Sequence, residues 1–209
     1  MALVNTRLFF SKTGRAKYIS HLDLSGVMQR AIRRAKLPVW YTEGYNPRLY
    51  TNFMLPLSLG QEGLREAVDI RLLRDIPYTE VTKRLNAALP PDIRITEAAV
   101  PVYKNTDIAF AEYEITADID REKFTDFTNS ERIITEKKTK KGISEVDLKP
   151  HLTVISVGEK IALRLPAGVE FNINPRLVFD AYGAQSGERI NKMSIVRTGI
   201  LIADGSEFR

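Results

Sequence analysis

The sequence predicts an α+β protein built from two tandem ferredoxin-like (split βαβ) domains, over residues 1–100 and 110–203. Three observations carry this. A chain of 209 residues has room for two small domains, and 44% hydrophobic with 27% charged content is enough for two cores. The patterns read strand, helix, strand, strand, helix, strand, and after a connector at 101–109 the same order returns.

The stretch "TRLFFSK" alternates and is aromatic-rich, so a strand is expected over about residues 5–11. Ser20 and Asp23 form a capping-box start, and Leu24, Val27, Met28, Ala31, Ile32 and Ala35 recur at helical spacing up to Lys36. Pro38 stops that helix and leads into a strand at "PVWYTE". After "GYNP" comes a partly extended segment, then a strand over 66–74, a helix from Tyr78 that ends before Pro90, and a strand at "DIRITEAAV".

The second half predicts a strand over 111–119 and a short helix at "DREKFTDFTN". A ribbon or two short strands follow in "RIITEKKTKKGISEVDLKPHL", then a strand at "KIALRLP". A helix capped by Asn174 with Pro175 at its first position and a closing strand at "SIVRTGILI" complete it, leaving "ADGSEFR" as a frayed tail.

The chain has no cysteine, which excludes disulfides, thiolate metal sites, thiol nucleophiles and cysteine-held iron–sulfur clusters. No apolar run approaches a membrane span, and the start lacks a signal-peptide core, so a cytoplasmic protein with no membrane partner is expected. Walker and dinucleotide glycine motifs, paired catalytic carboxylates and a Gly-x-Ser-x-Gly elbow are absent, and no cofactor or metal is expected.

Net charge is +5, yet residues 1–50 hold nine Lys or Arg against two acids. An excess of this size suits a polyanion. Arg30, Arg33 and Arg34 share a helix side at three-to-four spacing, Lys12, Arg15 and Lys17 precede the helix, and Arg48 follows the turn. Tyr18, Trp40, Tyr41, Tyr45 and Tyr50 are interleaved and offer rings for unpaired bases. In the turn, Gly44 permits positive φ and Asn46 offers a side chain to close it. The alternative is a solvated helix face with Trp40 buried in the sheet.

His21, at the helix start, is the weak catalytic candidate: a general base on a ribose hydroxyl, with Lys17 or Tyr18 beside it, or else a structural residue of the capping turn. His151 is the only other histidine and lacks a clear acidic companion for a metal. Asp69 is read as the ion-pair partner of an arginine on the neighbouring helix. Lys137, Lys138, Lys140 and Lys141 read as a basic hairpin tip or a solvated loop.

The words "FFSKTGRAKYISHLDLSGVMQRAIRRAKLP", "YTEGYNPRLYTNFMLPLSLG", "EAVDIRL" and, further on, "EVDLKPHL" resemble the radical SAM-linked protein family. These are uncharacterised bacterial domains fused to, or encoded beside, cobalamin-binding radical-SAM-type proteins. The resemblance implies such a partner rather than a reaction. Where that family's turn reads Gly-Phe-Asn-Pro-His, this chain has Gly44-Tyr45-Asn46-Pro47-Arg48, and Arg48 suits binding better than proton transfer.

Two tandem ferredoxin-like halves also resemble the RAMP group of CRISPR RNA-processing proteins, an analogy of fold. The expected function is a non-catalytic RNA-binding or adaptor protein acting with the radical-SAM-type partner, in modification of RNA or maturation of the translation machinery. Its nucleic-acid contacts would be Lys12, Arg15, Lys17, Tyr18, Arg30, Arg33, Arg34, Tyr41, Tyr45, Asn46 and Arg48. A metal-independent endoribonuclease using His21 and a purely protein-binding subunit are the alternatives.

Overall fold

In the computed structural model, which describes residues 3–139, 142–169 and 171–209, the chain divides into two units: 1–107 with 207–209, and 108–206. The class is α+β, with mostly antiparallel strands and four α-helices among the described residues.

In the first unit β1 (Val4–Lys12) leads to a single-turn 3-10 segment (Gly14–Tyr18) and α1 (His21–Arg34). Then come β2 (Asn52–Phe53), β3 (Glu62–Leu72), α2 (Tyr78–Ala88) and β4 (Ile93–Ala99). The strands run in the order β4-β1-β3-β2, each antiparallel to its neighbour. Strand periodicity of two divides the sheet. Leu8, Phe10, Val68, Ile70 and Leu72 join Leu24, Met28, Ala31, Ile32, Val81 and Leu85 in one buried aliphatic core. The alternate positions Asn5, Arg7, Asp69 and Arg71 therefore fall on the opposite face.

The second unit holds β5 (Ile108–Ala117), α3 (Arg121–Asn129), β6 (Ile134–Thr139), β7 (Gly142–Asp147), β8 (Thr153–Val157), β9 (Ile161–Pro166), α4 (Pro175–Ser186) and β10 (Met193–Ile202). Its sheet runs β10-β5-β9-β8, again antiparallel, while β6 and β7 form a separate hairpin. Its core is aromatic: the Phe124 ring stacks on Phe179 at 5.2 Å and meets Tyr182 edge-on at 5.3 Å. Asn174 caps α4 through its side chain, with Pro175 at the first position.

Several expectations change. "PVWYTE" is extended but forms only isolated bridges, Val39 with Leu72 and Tyr41 with Leu49. The ribbon region holds the two short strands expected there, β6 and β7, and is followed by an edge strand that was not expected, β8, whose largely exposed positions leave little apolar alternation to read.

The tail is not frayed. Phe208 is buried, Glu207 pairs with Arg65 at 2.7 Å, and the Arg209 carbonyl accepts from the Val102 and Tyr103 amides at 3.0 and 2.9 Å. Of the basic hairpin tip, Lys140 and Lys141 lie outside the described residues.

Candidate nucleic-acid interface

The segment 13–51 is organised by α1. Ser20 accepts from the Asp23 amide at 3.1 Å and its hydroxyl donates to the Asp23 carboxylate at 2.7 Å, so the helix starts at His21. Gln29 donates to Thr51 at 3.1 Å, which ties the segment after the GYNP turn to the side of α1 bearing Gln29. Arg33, one turn further, reaches that Gln29 at 3.5 Å.

The turn itself is closed by Thr42 rather than Asn46. The Thr42 amide donates to the Arg48 carbonyl at 2.8 Å and its hydroxyl accepts from the Arg48 amide at 3.0 Å. Gly44 has φ of 123°, a conformation that side chains rarely tolerate. This geometry pushes the tip into solvent: Tyr45 is 100% exposed, and Asn46 and Arg48 are exposed with it.

The predicted contacts divide into three groups. Arg15, with 94% of its side chain exposed, Tyr18, Arg30, Arg33, Tyr41, Tyr45, Asn46 and Arg48 all face solvent. Lys17 is half-buried and pairs with Glu62 at 3.0 Å, a hydrogen bond that raises its pKa and outweighs the opposing effect of burial.

Lys12 and Arg34 stand apart: Lys12 is buried, which corrects its reading as a surface contact, whereas Arg34 is exposed with a backbone partner. β1 extends through residue 12, which turns Lys12 inward; it is 1% exposed and its Nζ donates to the Ile19 carbonyl at 3.3 Å. Arg34 leans away from Arg33 and donates to the Ala88 carbonyl at 2.7 Å, where a cation complements the C-terminus of α2.

The weak catalytic candidate His21 is half-buried and packs its ring edge-on against Phe53 at 5.0 Å. Trp40 is likewise half-buried, between the two alternatives weighed for it. Among the described residues no cluster of three His, Asp or Glu side chains is arranged to hold a metal ion, and no helix is long and apolar enough to cross a membrane.

A second polar feature, on the sheet face away from the aliphatic core, escapes sequence reading. Arg7 and Asp69 are directly opposed in the β1–β3 register. Arg7 Nε and Nη2 donate to the two Asp69 oxygens at 2.7 and 2.8 Å, a bidentate pair, and Nη1 donates to the Arg209 carbonyl at 2.8 Å. The arginine expected to pair with Asp69 therefore comes from the adjacent strand, not from a helix. Arg71 lies two residues along β3 with its guanidinium 4.4 Å from the Tyr50 ring centre and 5.1 Å from that of Trp40.

A family model described as "Uncharacterized protein conserved in bacteria (DUF2344)" matches residues 5–176. No curated protein matches the chain. Among solved structures, the chain is similar to an unknown protein from Galdieria sulphuraria, at 12% identity and a TM-score of 0.31, over 94% of this chain and 99% of that one.

Proposed function

The chain belongs to the DUF2344 family of bacterial proteins, and we propose that this member is a non-catalytic RNA-binding protein acting with a radical-SAM-type partner. The observation that carries the proposal is the exposed surplus on residues 13–51: Arg15, Arg30, Arg33 and Arg48 with Tyr18, Tyr41 and Tyr45, none needed for the aliphatic core. Exposed cations and exposed rings on one segment match what single strands require, phosphate neutralisation plus stacking.

The reading of each unit as a ferredoxin-like module is supported by its strand order, last-first-third-second when the hairpin β6–β7 is set aside as an insertion. The partner is supported by the sequence words quoted above and by chemistry: a chain without cysteine cannot hold an iron–sulfur cluster through thiolates. In this arrangement the chain holds the RNA and the partner supplies the reaction.

The test is anisotropy of a labelled single-stranded RNA titrated with the whole chain across a salt series. Affinity should fall steeply with salt, by about 0.7 log units per neutralised phosphate for each log unit of salt. Replacing Arg30, Arg33 and Arg48 together with Ala should lower the slope by about 2. Binding that ignores salt, or a triple variant equal to the parent, would overturn the proposal. Shortened RNA products lost in His21→Ala would replace it with the nuclease.

A further inference from the structure

The sheet face that carries Arg7 and Asp69 opens into a cleft of about 540 Å³, walled on its other side by residues 101–106. That volume lies in the range of small-ligand sites. The chemistry of its lining is uneven. Three cations, Arg7, Arg71 and Lys104, meet a single acid, Asp69, and that acid is already held by both Arg7 donors.

Arg71 is in a different situation from Arg7. Among the described residues no carboxylate lies within ion-pair distance of it; the Tyr50 and Trp40 rings hold its guanidinium instead. Stacking on rings fixes the guanidinium plane while leaving the N–H edge available to a planar or tetrahedral anion. Asn5 sits directly opposite Arg71 across the strand pair, and Asn52 opposite Asp69, so side-chain amides that both donate and accept flank the cation. Lys104, exposed on the far wall, supplies a second mobile charge.

We propose that this cleft binds the phosphate monoester of a nucleotide, with Arg71 as its principal contact and Lys104 as its second. The charge argues for a phosphate over a carboxylate: the lining carries an excess of two positive charges, and a phosphate monoester carries about −1.5 to −2 at neutral pH. The amides and the Tyr50 ring suit a base and sugar attached to that phosphate. The choice of a nucleotide over another phosphate ester rests on the RNA-binding reading above. The nucleotide is either free or the 5′ end of a strand.

Trp40 is the only tryptophan in the chain and contacts Arg71, so its emission reports on this cleft. Whole protein is titrated with adenosine 5′-monophosphate and, in parallel, with adenosine. The monophosphate should give a saturable change that adenosine does not, and Arg71→Gln should weaken it about tenfold or more. Lys104→Glu, in an exposed segment, should also weaken it and keeps the test decisive if Arg71→Gln misfolds. Equal responses to the two ligands, or both variants binding like the parent, would overturn the proposal.

RNA strands with and without a 5′-phosphate separate the sources. Tighter binding of the phosphorylated strand assigns the site to a strand end; equal strands beside a positive monophosphate response assign it to free nucleotide. The Arg30, Arg33, Arg48→Ala protein should keep the full monophosphate response. Strand binding by that variant equal to the parent's, with the monophosphate response intact, therefore counts against the surface interface alone.

Discussion

The first unit opposes Arg7 to Asp69 across its two central strands, and the second opposes Glu112 to Arg164 at the matching place in its own sheet. Both pairs bridge antiparallel neighbours, with the sign of the charge on each strand reversed. The surroundings differ more. The Arg7 side chain is 1% exposed, whereas Arg164 and Glu112 keep about a third of theirs in solvent. The first unit thus holds a buried tether and the second a solvated pair.

The same contrast extends to net charge. By sequence, residues 1–107 with 207–209 carry 17 Lys or Arg against 11 acids, a net of +6, and residues 108–206 carry 14 against 15, a net of −1. In the second unit Lys160 pairs with Glu114, Lys123 with Glu188, Arg132 with Asp147 and Arg176 with Asp180. In the first, Arg30, Arg48 and Arg71 have no carboxylate partner among the described residues. The comparison teaches that antiparallel pairing does not dictate use: an opposed Arg–carboxylate pair is buried in one unit and solvated in the other.

The largest effect should come from Arg7→Ala. It strands the mostly buried Asp69 without its bidentate partner and removes the donor to the Arg209 carbonyl, so a loss of about 3–5 kcal/mol is expected in denaturant unfolding. A loss below about 1 kcal/mol would place Arg7 with the solvated pairs and erase the contrast.

Next is an alkaline transition belonging to the second unit. Burial raises the Tyr182 pKa to about 12, helped by its hydrogen bond to Glu188 at 2.8 Å. Because the folded pKa lies above the unfolded value near 10, this contribution is complete below pH 10 and disappears as pH rises from about 10 through 12. Absorbance titration of the tyrosinates should show one late-ionising group that is missing in Tyr182→Phe.

Ser20→Ala should cost about 1 kcal/mol, the usual value of an N-cap, and should loosen the start of α1 in hydrogen exchange. Smallest of all, Arg164→Ala should change stability by about 0–1 kcal/mol, and the change should shrink with added salt. A cost for Arg164→Ala matching that of Arg7→Ala would show that both pairs are tethers and that exposure is a poor guide here.

What could be read from the residues alone follows short-range rules. Ser20 with Asp23, Asn174 with Pro175, and the apolar spacing of residues 24–35 each act within one or two helical turns, so the bounds of α1 and α4 were legible. The exposure of Tyr45 and Arg48 was legible for the same reason, since a Gly-Tyr-Asn-Pro turn bends where it stands. Lys12 was misread because a cation in a basic run gives no local sign of which way it points. Strand length turned it inward.

The sequence by itself determined the α+β class, the absence of thiol chemistry and the concentration of charge in the first fifty residues, all properties of composition and local period. Only the tertiary structure decided that Asp69 meets Arg7, that Arg71 rests on Tyr50 and Trp40, and that the last three residues are pinned rather than loose. Those contacts join positions up to 202 residues apart, and they depend on strand register. A slip of one residue in β1 or β3 would turn Arg7, or Asp69 and Arg71, to the other face, which is why no window along the chain could reveal them.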